Sequence, residues 1–302
     1  MSRAATVPST FELTGDHARS TLRGTGRVRL LQDSFMRLRL ADGFSHARAS
    51  AFALVLLLVE GLIAVVGLAA ATGSSGFGRR VSDVIESAAP GPAGKLLTGA
   101  VQQAQDTGGH HQYWPLALAL LATVVTGTMA MGQFERACNR IYGVEVDRPS
   151  LRKYSRAFAL AVTAGVAFAL GIGLVVLGRP INNAIDDTWF NPVWDSLRWP
   201  VGVLLLIGAT TLLLKWSPNR RQPGYSWLAY GAAASVLMIV LASLALAGFF
   251  GVSQTFGDTY GPLAGMIALL LWCLAVSVSG LFGVAVTAQL EAVRAEAHGA
   301  AS

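Results

Sequence analysis

The stretch "LVLLLVEGLIAVVGLAA", Leu54 to Ala70, decides the fold: every position but Glu60 is apolar, and no basic residue lies within a helical turn of that carboxylate. A run of this kind satisfies its backbone groups as a helix and meets lipid rather than water, since a spanning helix needs roughly 20 mostly apolar residues. Whether the rest of the chain has the same solvent is a matter of composition. Of 302 residues, 53% are hydrophobic and 13% charged, where a soluble domain carries roughly 25% charged residues. The imbalance predicts a membrane protein.

Six segments qualify as spans: 48–71, 113–132, 157–178, 199–214, 226–251 and 261–288. The fourth is the shortest, but Trp199 and Trp216 flank it beside Arg198 and Lys215, the aromatic and cationic anchors of two interfaces. The formal net charge of +6 would suit nucleic acid or anionic lipid, and placement decides between them. Segments 1–50, 133–156, 215–225 and 289–302 hold 18 of the 23 Lys and Arg residues; the alternating segments between spans hold the other 5. That asymmetry predicts a membrane protein with both termini cytoplasmic, membrane lipids as partners and no nucleic acid. The first apolar segment lies behind a long polar, basic stretch, so it reads as a retained span and not as a targeting peptide.

The chain then divides into a disordered tail, 1–25, a basic amphipathic interfacial helix, 26–46, a six-helix transmembrane domain, 47–288, and a C-terminal tail, 289–302. In the interfacial helix Val28, Leu31, Phe35 and Leu38 form the apolar stripe, with Arg27, Arg29, Arg37 and Arg39 around it; a solvated charged linker is the other reading. The outer loop, 72–112, carries two stripes, Val81, Val84, Ile85 and Ala88, then Leu96, Leu97, Ala100, Val101 and Ala104, broken by "PGPAG" at 90–94. Two short helices in a hairpin fit, capping the bundle from outside and available to other envelope proteins.

The stretch "FERACNRIYGVEVDRPSLRKYSRAFAL", Phe134 to Leu160, leaves one span, turns through a basic segment and enters the next. Together with Tyr260, Gly261, Trp272 and Gly283 near the C-terminus and "SPN", Ser217 to Asn219, it resembles the YihY/BrkB family of six-helix bacterial inner-membrane proteins, some of which carry a legacy ribonuclease BN label. The matching residues of the first motif are Asn139, Tyr142, Gly143, Val144, Glu145, Arg148 and Pro149, and similarity covers most of 45–291. The resemblance implies an all-α polytopic fold. Two departures stand out. Where the family follows its last-span glycine with Glu and then Asn, this chain has Ala285 and Thr287, and where the family's first span has proline or an apolar residue, it has Glu60.

The ribonuclease label finds no chemistry here. Metal-activated hydrolysis needs clustered ligands, and His17, His46, His110, His111 and His298 are scattered, with Cys138 and Cys273 far apart and no Walker A sequence. No metal, no cofactor and no enzymatic activity are expected. Arg136, Arg140, Arg152 and Lys153 either fix orientation or, with Asn139 and Tyr142, hold a lipid headgroup. Gly257, Gly261 and Gly265 recur every four residues and predict a close helix-packing face, with Trp272 packing in the bundle and Tyr260 in the aromatic belt. Glu60, Asn139, Tyr142 and Tyr260 are the candidates for substrate contact or proton coupling. Glu60 lies about 20 Å into a core about 30 Å thick. It is either a proton-coupling acid or a protonated carboxyl bonded across helices to Thr123, Thr126 or Ser277. Two function classes follow: an envelope protein that transports or exports a lipid or other amphiphile, or a non-transporting scaffold or assembly factor.

Overall fold

The structure, a computed structural model, describes residues 6–8, 13–71, 75–89, 91–109, 113–146, 148–176, 190–253, 256, 259–260 and 263–299. Among them the regular elements are all helices: α1 (Gly15–Thr25), α2 (Arg27–Leu40), α3 (Gly43–Ala71), α4 (Ser75–Ala88), α5 (Pro92–Gly109), α6 (Tyr113–Tyr142), α7 (Ser150–Val176), α8 (Phe190–Trp216), α9 (Tyr225–Val252) and α10 (Leu263–Gly299). The fold is the expected all-α membrane bundle. Five helices are long and apolar enough to cross a membrane among the described residues: Gly43–Ala71, Trp114–Tyr142, Ser196–Trp216, Tyr225–Val252 and Leu263–Ala297. The sixth expected span, 157–178, falls on α7, which opens with Arg152, Lys153 and Arg156 and leads at its other end out of the described residues. On the described residues the count is therefore five.

The long helices alternate in direction, so their connections separate into a basic end, around 143–149 and 217–224, and a far end that holds the α4–α5 hairpin. α10 occupies the middle, against α9, α3, α5 and α2, while α3 packs on α6 and α8 lies between α7 and α9. One apolar core sits at the basic end, with Ile141, Tyr142, Leu214, Trp227, Leu281 and Leu290. The other joins Val66 of α3 to Leu97 and Val101 of α5 and Leu269 and Cys273 of α10. Outside these cores Leu118, Leu121, Leu204, Leu241 and Leu244 are exposed. In water such a surface would aggregate; around a spanning bundle it is the lipid face.

Three expectations about organisation change. The tail 1–25, read as disordered from its lack of large apolar residues, contains α1, packed against α9 and α10. Its Ala18 is fully buried, a small residue sufficing because the helices approach closely. The interfacial helix ends at Leu40 rather than 46, and residues 43–46 already belong to α3. The C-terminal tail continues α10 without a break as far as Gly299. In the outer segment α5 packs into the bundle: Ala93, Leu97, Val101 and Ala104 are buried between α3 and α10.

Candidate functional site

At the basic end α6 stops at Gly143, whose φ of 70° is open to glycine and strained for other residues. The Val144 amide donates to the Asn139 carbonyl at 2.8 Å and the Gly143 amide to Arg140 at 3.1 Å, the paired bonds of a Schellman termination. This turn aims the following segment back over the helix ends. Arg148 there reaches Glu135 of α6 in an ion pair whose side chains are 7% and 0% exposed. The same guanidinium donates to the carbonyls of Ser217 at 3.0 Å and Pro218 at 2.6 Å, fastening the α8–α9 connection to α6. Asn139 completes the join. Its Oδ1 accepts the Asn219 amide at 2.7 Å, while the Asn219 side chain donates to the Val146 carbonyl at 2.8 Å.

A second buried pair ties this connection to α10. Arg220 donates to Glu291 Oε1 at 2.5 Å, with the two side chains 5% and 0% exposed. Its guanidinium also lies 4.6 Å from the centroid of the Tyr142 ring, a cation–π contact strengthened by exclusion of water. The Tyr142 hydroxyl in turn donates to Thr287 Oγ1 at 3.1 Å. Arg220 donates as well to the carbonyls of Val7 and Pro8, so the N-terminal arm closes over the cluster. From the other side Arg37 of α2 donates to Gln289 Oε1 at 2.8 Å and to the Ile141 carbonyl at 3.3 Å. Burial holds the Arg37 guanidinium below its usual pKa, with Tyr142 and Glu296 opposing. The arrangement is a latch: its charges answer one another, and it joins α2, α6, the α8–α9 connection, α10 and the arm.

Apart from Val7 and Pro8 of the arm, the residues of this latch lie within the family model described as Virulence factor BrkB, which matches residues 34–302. The chain belongs to the BrkB family. Among curated relatives it is 25% identical over 249 residues to a ribonuclease-like protein, YfkH, of Bacillus subtilis (strain 168), covering 80% of this chain and 88% of that one. It is 24% identical over 289 residues to a UPF0761 membrane protein of Stenotrophomonas maltophilia (strain K279a), covering 94% of this chain but 65% of the relative's length. A UPF0761 membrane protein of Alcanivorax borkumensis is 26% identical over 157 residues, 51% of this chain and 36% of that one. No solved structure matches the chain.

Within this BrkB-family chain the sequence-picked residues divide. Asn139 and Tyr142 come together, 4% and 1% exposed, as members of the latch, so they are not open contacts for a substrate or a headgroup. Tyr260 does not join them: it is 46% exposed at the far end, its ring 4.8 Å from that of Phe256. Arg136, Arg140 and Arg152 face outward, whereas Lys153 is buried and unavailable to a headgroup. Gly265 does sit in a close contact, but against Leu96 and Pro92 of α5 instead of another span. Gly257 and Gly261 lie outside the described residues. Trp272 packs within the bundle, and its Nε1 donates to Ser243 Oγ at 3.0 Å.

Sequence reasoning gave no site role to Glu135, Arg220, Glu291 or Thr287. The available signal was that Glu135 and Glu291 stand near the ends of α6 and α10 while Arg148 and Arg220 lie in the connections. Thr287 supplies the hydroxyl oxygen that accepts from Tyr142. Glu60 stands apart from the latch. It is half-buried on α3, and its Oε2 is buried with no hydrogen-bond partner among the described residues. Thr123, offered as a cross-helix partner, donates instead to the Ala119 carbonyl of its own helix at 2.7 Å. No bond joins Glu60 to Thr126 or Ser277. Among the described residues no three His, Cys, Asp or Glu side chains converge as a metal site would require; His110 and His111 lie outside them.

Proposed function

We propose that this BrkB-family protein is a bacterial plasma-membrane carrier of a lipid or another amphiphile, with both termini in the cytoplasm, and that Glu60 is the proton-coupling group. One observation carries the reading: a carboxyl oxygen buried about halfway along a spanning helix without a hydrogen-bond partner among the described residues. A charge there costs at least about 2.5 to 3.5 kcal/mol on insertion scales, and intramembrane acids mark ion and substrate pathways. A carboxyl that meets a transient partner has a use for such a site; a structural crosslink would have its bonds made. No catalytic step, metal or cofactor belongs to this reading. The rival, a scaffold docking other envelope proteins through the hairpin, has less to stand on, because the apolar stripe of α5 is spent on α3 and α10. What the hairpin offers outward is polar: Arg79, Asp83, Glu86, Lys95 and Gln102.

The test is reconstitution in liposomes with labelled phospholipid, with and without a pH gradient. Glu60→Gln preserves volume and hydrogen-bonding groups but removes titration. It is expected to unfold at the wild-type temperature while losing gradient-driven movement, and full movement by this variant would overturn the role of Glu60. A wild-type protein inert towards every lipid would favour the scaffold. Orientation has its own check in a background with Cys138 and Cys273 replaced. A cysteine at Arg79 should react with an impermeant thiol reagent from outside intact cells and one at Ser150 should not; the opposite pattern reverses the topology.

A further inference from the structure

Two clefts adjoin each other along α2. The first, about 400 Å³, is lined by Arg19, Leu22 and Arg23 of α1, Arg27 of α2 and Tyr230 of α9. The second, about 500 Å³, is bounded by Leu31, Phe35 and Met36 of α2, Met238 of α9, and Val278 and Phe282 of α10. Both volumes fall in the range of small-molecule sites, roughly 300 to 1,000 Å³. Arg27, Leu31 and Phe35 are four residues apart in turn, so one face of α2 passes from cationic to apolar as it crosses the two clefts. On α9, Tyr230 and Met238 are eight residues apart, about 12 Å of rise. The polar cleft is thus at the basic end and the apolar one a headgroup's depth further in.

Among the described residues no hydrogen bond or ion pair answers these charges on Arg19, Arg23 and Arg27, and the nearest acid of α2, Asp33, is engaged with Arg29 at 3.9 Å. Nor does protein cover the apolar side: Leu31, Phe35 and Met36 are each 47% exposed and Val28 70%. The face of α2 that the bundle does bury is another one, Leu30, Ser34, Arg37 and Leu38. The α1–α2 elbow therefore presents three unanswered guanidiniums beside an apolar slot, on a helix whose remaining apolar face opens to the interface.

We propose that this composite cleft binds an anionic phospholipid of the leaflet at the basic end, its phosphate among Arg19, Arg23 and Arg27 and an acyl chain against Phe35, Met238 and Phe282. The proposal rests on the carrier reading only in naming that lipid as cargo; the binding stands by itself. A soluble phosphate would use the first cleft and leave the second empty, and a zwitterionic lipid would leave the three arginines without a net countercharge.

The full chain in mixed micelles holding equal phosphatidylglycerol and phosphatidylcholine, with retained lipid read by native mass spectrometry, tests it. Wild type should retain phosphatidylglycerol preferentially, and Arg19→Gln, Arg23→Gln and Arg27→Gln should each weaken that preference, by about five-fold per charge removed. Met238→Trp, which fills the apolar cleft without altering charge, should lower retention of both lipids. Excess glycerol phosphate should compete poorly; displacement as effective as by the lipid would remove the acyl chain from the site. A phosphatidylglycerol carrying a photoreactive acyl chain, used on wild type alone, should label α2 between 31 and 38, or Met238, Val278 or Phe282. Labels confined to other surfaces, or wild-type preference in the folded triple variant, would overturn the proposal. Loss of movement in Glu60→Gln with lipid retention intact supports both readings; retention by a wild type that moves no lipid keeps the site and removes the carrier.

Discussion

The basic end and the far end of this bundle are held together by different physics. At the basic end two buried ion pairs, Arg148–Glu135 and Arg220–Glu291, and a set of side chain to backbone bonds join five chain segments. At the far end α5 lies between α3 and α10 on alanines, leucines and a valine, with Gly265 allowing the approach. Directional bonds between unlike charges admit few alternative geometries. A contact between small apolar faces can slide at modest cost. The family motif thus lies at the end of the bundle held by directional bonds, and the far end rests on apolar contact.

The largest effect expected of this contrast is on the latch. Arg148→Met removes the ion-pair partner of the buried Glu135 and the donor to the Ser217 and Pro218 carbonyls, at a cost of about 3 to 5 kcal/mol. Adding Glu135→Met should recover most of the loss, since a pair replaced by apolar groups of similar size is often neutral. Thermal unfolding of the three variants in detergent reads the cycle, and a single variant as stable as wild type would break the comparison at its base.

Glycine contacts sharpen it next. At the α9–α10 crossing near the latch, a Cβ on Gly283 would collide with Ser235 and with the backbone of Gly231. Gly283→Ala should therefore cost about 1 to 3 kcal/mol. At the far end the Cβ of Gly265→Ala would sit 3.0 Å from Leu96 Cβ and from the Pro92 carbonyl. A smaller loss is expected there, because α5 can shift by a few tenths of an ångström; equal losses would mean the two ends are equally rigid.

The smallest effect is the control for burial. Arg29 and Asp33 form an ion pair on α2 with side chains 79% and 41% exposed. Asp33→Asn should change stability by less than about 0.5 kcal/mol and less again in high salt. A loss approaching that of Arg148→Met would show that burial is not what distinguishes the latch.

The difference in legibility follows the same division. Spans were readable because lipid imposes a length and a composition on every helix that crosses it, which is why α3, α6, α8, α9 and α10 lie where the apolar runs do. The hairpin stripe on α5 was readable because its period survives burial, though whether it would face water or the bundle was not. α1 was missed because it buries Ala18 and Thr21 instead of large apolar residues, so composition resembles that of a free tail.

Local composition alone fixes the solvent of each segment and the alternation of basic and neutral connections. Packing alone brings Asn139, Tyr142, Arg148 and Arg220 to Asn219, Thr287, Glu135 and Glu291, for those partners are up to 145 positions apart. A charge in the sequence carries no mark of its partner. It becomes half of a buried pair, or a free guanidinium beside an apolar cleft, only when the helices that bear it have packed.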